Sequence, residues 1–309
     1  MDALIEELAS GYGRRDATVS LIRRGGDGNR TFRVESGGET LIARLYGEQG
    51  QHCPEWVRYE VELLRHLGAA GTSVAAPLLR RDGSAFGRVE GAPCVLFTYA
   101  DGGVEWPMPS GNAHRLGAAV ATLHIAAETL VTDAAPRVFD TERLFYRPLE
   151  RMARFLSEDS TKEILRATAA RAAEWIEAIP ATSQTFGAIH GDIHQGNCHF
   201  TAEGALTFFD FSNAGIGWRA YDLAGFLWPM RDSTIQDATM QAACSGFLEG
   251  YRSIRPLLPE EELALPAFIK ARDYWETGSW LEYDKDVDPK VVSQGLRDLA
   301  TRFERFPLP

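Results

Sequence analysis

His190-Gly191-Asp192-Ile193-His194-Gln195-Gly196-Asn197, followed by Phe208-Phe209-Asp210-Phe211 and then Asp222, is the run that decides how this chain reads. An Asp and an Asn five residues apart, and then an Asp closing a short apolar stretch, are the groups that phosphoryl transfer needs. That reaction asks a protein for little covalent work. It asks for an oriented hydroxyl, a proton acceptor and hard oxygen ligands for a divalent cation. Asp192 suits the proton acceptor, and Asn197 and Asp210 suit Mg²⁺. Plainer readings exist for two of them: Asp192 as a helix cap or turn residue, and Asn197 as a turn residue after Gly196. Asp210 follows Thr207, Phe208 and Phe209, where a charge is costly without a cation nearby. His190, Asp192, His194 and His199 invite a zinc reading, but their spacing matches none of the usual zinc signatures.

Outward from that run, the N-terminal part reads as mostly β. Residues 2–11 have the pattern of a short helix. Val19–Ile22 and Thr31–Val34 read as strands around the glycine-rich turn Gly25-Gly26-Asp27-Gly28-Asn29. Backbone amides of such a turn, at Gly26, Gly28 and Asn29, can reach phosphate oxygens, although any tight hairpin uses glycine. It is not a Walker loop. Thr40–Tyr46 reads as a third strand. Glu55–Leu67 has helical spacing in Val57, Val61, Leu64 and Leu67. Strands follow at Val74–Leu79, Gly87–Val89 and Cys94–Tyr99, and Asp101-Gly102-Gly103 is a turn and hinge. Beyond it the period becomes helical: Asn112–Thr129, Leu144–Leu156, Thr161–Ile179, Tyr221–Trp228, Ile235–Arg252, Glu260–Trp280 and Pro289–Phe303. Short strands interrupt at Asn197–Phe200 and Leu206–Phe209. The prediction is an α+β chain with a small antiparallel lobe and one main helix over residues 1–100, and a larger, mainly helical lobe over residues 101–309.

The whole chain limits the function classes. Its 309 residues exceed what one core usually holds. A net charge of −11 argues against a nucleic-acid partner. Apolar runs fall short of a membrane span, and the acidic start Met1-Asp2-Ala3-Leu4-Ile5-Glu6-Glu7 is unlike a secretory signal. Cys53, Cys94, Cys198 and Cys244 form no paired spacing, which speaks against a disulfide or zinc framework. The expectation is a cytoplasmic protein with no membrane or nucleic-acid partner; a homodimer is compatible with it.

His190-x-Asp192-x-x-x-x-Asn197, Phe209-Asp210-Phe211 and Tyr221-Asp222-Leu223-Ala224 resemble the motifs of the aminoglycoside phosphotransferase/choline kinase superfamily, which has the bilobal protein-kinase-like fold. Leu116-Gly117, Leu123-His124 and Tyr59-Glu60 add support. The tail Phe268-Ile269-x-x-Arg272 with Trp275-x-x-Gly278 is similar to the branch of type II homoserine kinases and bacterial stress-response Ser/Thr kinases. The resemblance implies ATP and Mg²⁺ as cofactors, and Asp192 as the catalytic base. It implies architectural roles for His190 and Asp222, and a hinge at Phe97-Thr98-Tyr99-Ala100 whose backbone, at Thr98 and Tyr99, meets the adenine. Kinases place a lysine on the third strand, paired with a glutamate on the next helix. This chain has no lysine before Lys162, and Arg44 stands at that place with Glu60 as its partner.

The acceptor is the least defined part. Asp273-Tyr274-Trp275-Glu276 through Asp288 is rich in acids and aromatics, which suits an amine; a helix with core tryptophans and a solvated end has the same composition. His194, Asp273, Trp275 and Glu276 are the substrate candidates. The expected activity is phosphorylation of a hydroxyl on a small, amine-bearing acceptor such as homoserine, an aminoglycoside, an amino alcohol or an amino sugar. A stress-response Ser/Thr protein kinase and a nucleotide-binding pseudokinase with a regulatory role are the alternatives.

Overall fold

The computed structural model describes residues 1–24, 28–48, 52–231, 237–283 and 286–308. In chain order the main elements are α1 (Asp2–Gly11), β1 (Thr18–Arg24), β2 (Arg30–Ser36), β3 (Glu39–Leu45), α2 (Pro54–Ala69), β4 (Pro77–Leu78), β5 (Gly87–Val89) and β6 (Ala92–Thr98). Then come α3 (Ser110–Ala126), β7 (Arg137–Phe139), α4 (Arg147–Ala153), α5 (Asp159–Glu177), β8 (Phe186–Ile189), β9 (Cys198–Phe200), β10 (Leu206–Phe208) and β11 (Gly215–Trp218). The chain ends with α6 (Ala220–Leu227), α7 (Ala238–Ile254), α8 (Pro259–Tyr283) and α9 (Pro289–Arg305). The fold is α+β, with an antiparallel sheet toward the N-terminus and helices toward the C-terminus, as the sequence predicts. Two compact units form: residues 1–105, 125–137 and 196–215 in one, and residues 106–124, 138–195 and 216–309 in the other.

In the first unit the strand order is β1-β2-β3-β6-β4, with β5 pairing β6. The β2–β3 turn runs through Gly37 and Gly38 at φ +60° and +78°, a conformation glycine adopts without penalty. The Asp16 carboxylate accepts the Gly37 amide at 2.8 Å and fixes that turn. Side chains alternate along β3. Leu41, Ala43 and Leu45 join Phe32, Val34, Leu96 and the α1 residues Leu4 and Leu8 in one core. Alternation therefore turns Ile42 and Arg44 to the opposite face, the one α2 serves. Pro54 opens α2, and Val57, Val61, Leu64 and Leu67 are its buried stripe. The β9–β10 hairpin belongs to this unit because its backbone is tied there. Phe208 N–H donates to Ser73 O at 3.0 Å, and Ala75 N–H donates to Phe208 O at 2.8 Å.

In the second unit α8 is the longest helix among the described residues, 25 residues with Pro266 inside it, and it packs against α4, α5 and α6. Helices α3 and α7 approach at backbone distance. A Cβ on Gly117 would lie 1.9 Å from Phe247 O, and one on Gly250 would lie 1.9 Å from His114 O.

Two features differ from expectation. A three-stranded sheet, β7-β11-β8, has no counterpart in the sequence reading. Its strands are three or four residues long and carry Gly187, Gly215 and Gly217, so no alternation is long enough to register. The strand expected over Val74–Leu79 shrinks to Pro77–Leu78, since Val74 and Ala75 turn to Phe208 instead, Val74 in an isolated parallel bridge and Ala75 through its N–H. Among the described residues no helix is long and apolar enough to cross a membrane.

Candidate active site

The first unit contains a cavity of about 270 Å³. Ile22, Ile42, Ala75, Phe97 and Phe209 make it apolar, and Arg23, Arg44, Glu60 and Asp210 supply its charge. Register explains the charged group. Arg44 sits opposite Thr31 on β2 and Val95 on β6, well inside the sheet. Only 8% exposed, its guanidinium cannot reach bulk water and is held by carboxylates. One arm meets Glu60 Oε1 at 3.2 Å and the other meets Asp210 Oδ1 at 3.0 Å. Tyr46, also buried, donates its hydroxyl to Glu60 Oε2 at 2.8 Å. Burial still dominates at Glu60 and pushes its carboxyl up to about 7, against the pull of Arg44 and Tyr46.

Asp210 adopts the left-handed conformation, φ +63° and ψ +57°, which Asp tolerates better than most residues. Ser212 donates to its Oδ1 at 2.8 Å. Cys198 pairs with Phe208 in the β9–β10 hairpin, and Phe209 N–H donates to Asn197 O at 3.0 Å. Asn197 and Asp210 therefore leave the same end of one hairpin. An amide oxygen and a carboxylate at such a place form a hard donor set that fits a divalent cation.

The hinge residues Thr98, Tyr99 and Ala100 line the same cavity. Thr98 is fixed by two bonds to Ala76: its N–H donates to Ala76 O at 2.9 Å, and its hydroxyl accepts the Ala76 N–H at 2.8 Å. His199 donates Nδ1–H to Ala100 O at 2.7 Å and stands edge-on to Phe209. Gly28 has φ +80°, and Asn29 Oδ1 accepts the Gly47 N–H at 2.7 Å. Gly26 lies outside the described residues.

The second unit holds Asp192. The turn that carries it is gripped by Asp222 on α6. The Asp222 carboxylate accepts the His190 N–H at 2.8 Å and the Gly191 N–H at 2.7 Å. Gly191 takes φ +79° to present its amide, and Gly225 lets α6 approach: a Cβ there would lie 2.5 Å from Ile193 O. Asp222 is itself bonded to His124 Nε2 at 3.0 Å, and His124 Nδ1 meets Tyr251 Oη at 3.0 Å. Burial pushes the His124 pKa down. The ring is then neutral, with Nε2–H donating to Asp222 and Nδ1 accepting from Tyr251.

On α8, Arg272 donates Nη1–H to Gly191 O at 3.1 Å, and its Nη2 bonds Asp192 Oδ1. The same Nη2 lies 2.6 Å from Glu276 Oε1, and the guanidinium stands 5.0 Å from the Trp275 ring centre. His194 Nε2 is 3.7 Å from Asp192 Oδ1. Burial raises the Asp192 carboxyl, but Arg272, with His194 behind it, outweighs that and holds it below the usual carboxylate value.

Among the substrate candidates, His194, Trp275 and Glu276 thus gather around Asp192 and Arg272. Asp273 does not. It is 3% exposed and is held by Trp228 Nε1–H at 2.9 Å and Arg302 at 2.8 Å. One helical position turns it 100° away from Arg272, into the helix packing. Other acids of the tail are also structural. Glu282 pairs with Arg151 at 2.8 Å, and Asp288 accepts from Lys290 N–H at 2.8 Å, capping α9. The sequence does not disclose what Tyr46, His199 and Arg272 touch: Glu60, Ala100 O and Asp192. For Arg272 two signals were available, its place in the tail motif and its i,i+4 spacing from Glu276.

Residues 19–257 match the family model described as Phosphotransferase enzyme family. The chain belongs to this family. A phosphotransferase of this family is a kinase, moving a phosphoryl group onto an alcohol of its acceptor. An uncharacterized protein of Deinococcus radiodurans is 34% identical over 281 residues, covering 89% of this chain and 80% of its own length. A homoserine kinase of Rhizobium etli is 28% identical over 245 residues, covering 78% and 73%. Among solved structures, an amicoumacin kinase in complex with AMP-PNP, Ca²⁺ and Ami superposes with a TM-score of 0.79. It shares 18% identity over 99% of this chain and 94% of its own, and so shares the fold.

Proposed function

We propose that this phosphotransferase uses ATP and Mg²⁺ to phosphorylate a hydroxyl of a small, amine-bearing acceptor, with Asp192 as general base. The observation that carries the nucleotide half is Arg44, bonded to both Glu60 and Asp210 on the wall of an apolar cavity. A guanidinium is always charged and suits phosphate oxygens. Asn197 and Asp210 would hold the metal, which neutralises phosphate charge when bound. Thr98 and Tyr99 would meet the base, and Gly28 and Asn29 would stand near the phosphates. A neighbour in complex with AMP-PNP and Ca²⁺ supports a nucleotide and a divalent ion.

Asp192 would orient the acceptor hydroxyl and take its proton late. Asp222 and His190 hold the turn that carries it. Half-buried Glu276 and the Trp275 face suit a cationic acceptor, and the homoserine kinase relative acts on a hydroxyl amino acid.

The test is ADP release from MgATP over a panel of amino acids, amino alcohols, aminoglycosides and sugars. Asp192→Asn should lower kcat on the responding acceptor at least about 100-fold; full turnover by that variant ends the reading. Arg44 in the lysine place favours one rival, a pseudokinase. Metal-dependent ATP binding with no ADP released across the panel would establish it.

A further inference from the structure

The turn that carries Asp192 is held from two sides. Asp222 takes its amides at His190 and Gly191. Opposite in polarity, Arg272 takes its carbonyl at Gly191 and its carboxylate at Asp192. Arg272 is 4% exposed, and a guanidinium at that depth persists only where carboxylates answer it. Its Nη2 is divided between Asp192 and Glu276, and its plane is backed by Trp275.

We propose that Arg272 is the positioning residue of this kinase: it aims the Asp192 carboxylate and keeps it ionised, and Glu276 sets how much of its charge Asp192 receives. The proposal rests on the reading of Asp192 as base. Two carboxylates compete for one nitrogen. A cationic group of the acceptor that engages Glu276 would release Arg272 to Asp192, so the base would be fully clamped only when the acceptor is present. The groups facing Asp192 are His190 and His194 on its own turn, Arg272 and Glu276 on α8, and Tyr221 on α6. Arg272 is the fixed cation among them. Without it, burial would govern and lift the Asp192 pKa.

The first experiment needs no acceptor. Melting temperatures are measured for the wild type, Asp192→Asn, Arg272→Gln and the double variant. Removing a catalytic charge commonly stabilises an enzyme. Here Asp192→Asn should lower Tm by about 3 °C, because a buried guanidinium loses a partner. The double variant should melt well above the sum of the two losses. Additive losses, or a Tm for Asp192→Asn at or above the wild type, overturn the proposal. Should Arg272→Gln not fold, the sign of the Asp192→Asn change still decides.

The second experiment is the pH profile of kcat, using the acceptor that responds in the ADP-release panel. The wild type should be level down to pH 5. Arg272→Gln should gain an acid limb, its midpoint raised by roughly 1–3 pH units, and Arg272→Lys should restore most of the level profile. An Arg272→Gln profile parallel to the wild type would leave Arg272 merely structural. If Asp192→Asn keeps full turnover, the base reading falls instead, and the melting cycle still reports on the clamp alone.

Discussion

Glu60→Gln should flatten the dependence of stability on pH. Glu60 is 2% exposed, and its carboxyl is pushed by burial from 4.5 up to about 7. A carboxyl held above its unfolded value binds its proton more tightly in the folded chain. Folded stability is then greatest below about pH 4.5, declines as pH rises toward 7, and is level beyond it. The gap of roughly 2.5 pH units, at 1.36 kcal/mol each, corresponds to a ceiling of about 3 kcal/mol. Glutamine has the same shape and no proton to lose. It also weakens the bond to Arg44, but guanidinium does not titrate in this range, so that cost is a constant offset. Thermal melts of the nucleotide-free protein at intervals from pH 5 to 8 make the measurement. The wild-type Tm should fall relative to Glu60→Gln by about 5 °C across the window. Parallel curves for the two proteins would refute the claim that burial, rather than the Arg44 ion pair, governs this carboxyl.

Tyr46→Phe removes the hydroxyl that donates to Glu60 Oε2 at 2.8 Å; it should cost about 1.5–3 kcal/mol by denaturant melts and raise the KM for ATP more than it lowers kcat. Gly250→Ala would press a methyl to 1.9 Å from the backbone of His114, and backbone cannot step aside, so a loss of about 3 kcal/mol is expected. Gly295→Ala is its control: nothing lies within 4 Å of the added carbon in α9, and Tm should rise, reflecting up to about 1 kcal/mol of helix propensity.

What was legible in the sequence followed pattern length. The alternation of β2 and β3 and the stripe of α2 span enough residues to be read, and they place Arg44 opposite Glu60. The run from His190 to Asn197 pointed through its spacing to phosphoryl transfer, the reaction of the family whose model the chain matches. The β7-β11-β8 sheet was invisible, because strands of three or four residues, two of them bearing glycine, carry no period. Asp273 and Arg272 show a second limit. Both are charged neighbours on α8, and composition cannot say which one faces the Asp192 turn. Only the helical phase, fixed by how α8 packs on α4, α5 and α6, sends Arg272 to Asp192 and Asp273 to Arg302. In the sequence Tyr46 is only the end of a strand; its hydroxyl acquires meaning only once α2 brings Glu60 within 2.8 Å.

The two charged groups share one plan, a buried arginine between two carboxylates, and yet the carboxyls respond in opposite directions. Arg44 divides itself between Glu60 at 3.2 Å and Asp210 at 3.0 Å, and Glu60, the deeper of the two, stays high. Asp192 keeps 18% of its side chain exposed and has His194 behind Arg272, so its carboxyl is held low. Lysine would not serve equally in either place. Lys270, two residues from Arg272 on the same helix, shows what burial does to an ammonium here: its pKa is pushed down to about 8. A lysine at position 44 would have a single ammonium to share between Glu60 and Asp210, which two guanidinium arms now reach separately. A guanidinium keeps its charge at that depth and offers two arms where an ammonium offers one point. Arginine at position 44 therefore keeps a fixed cation between Glu60 and Asp210, one arm to each, on the wall of the cavity.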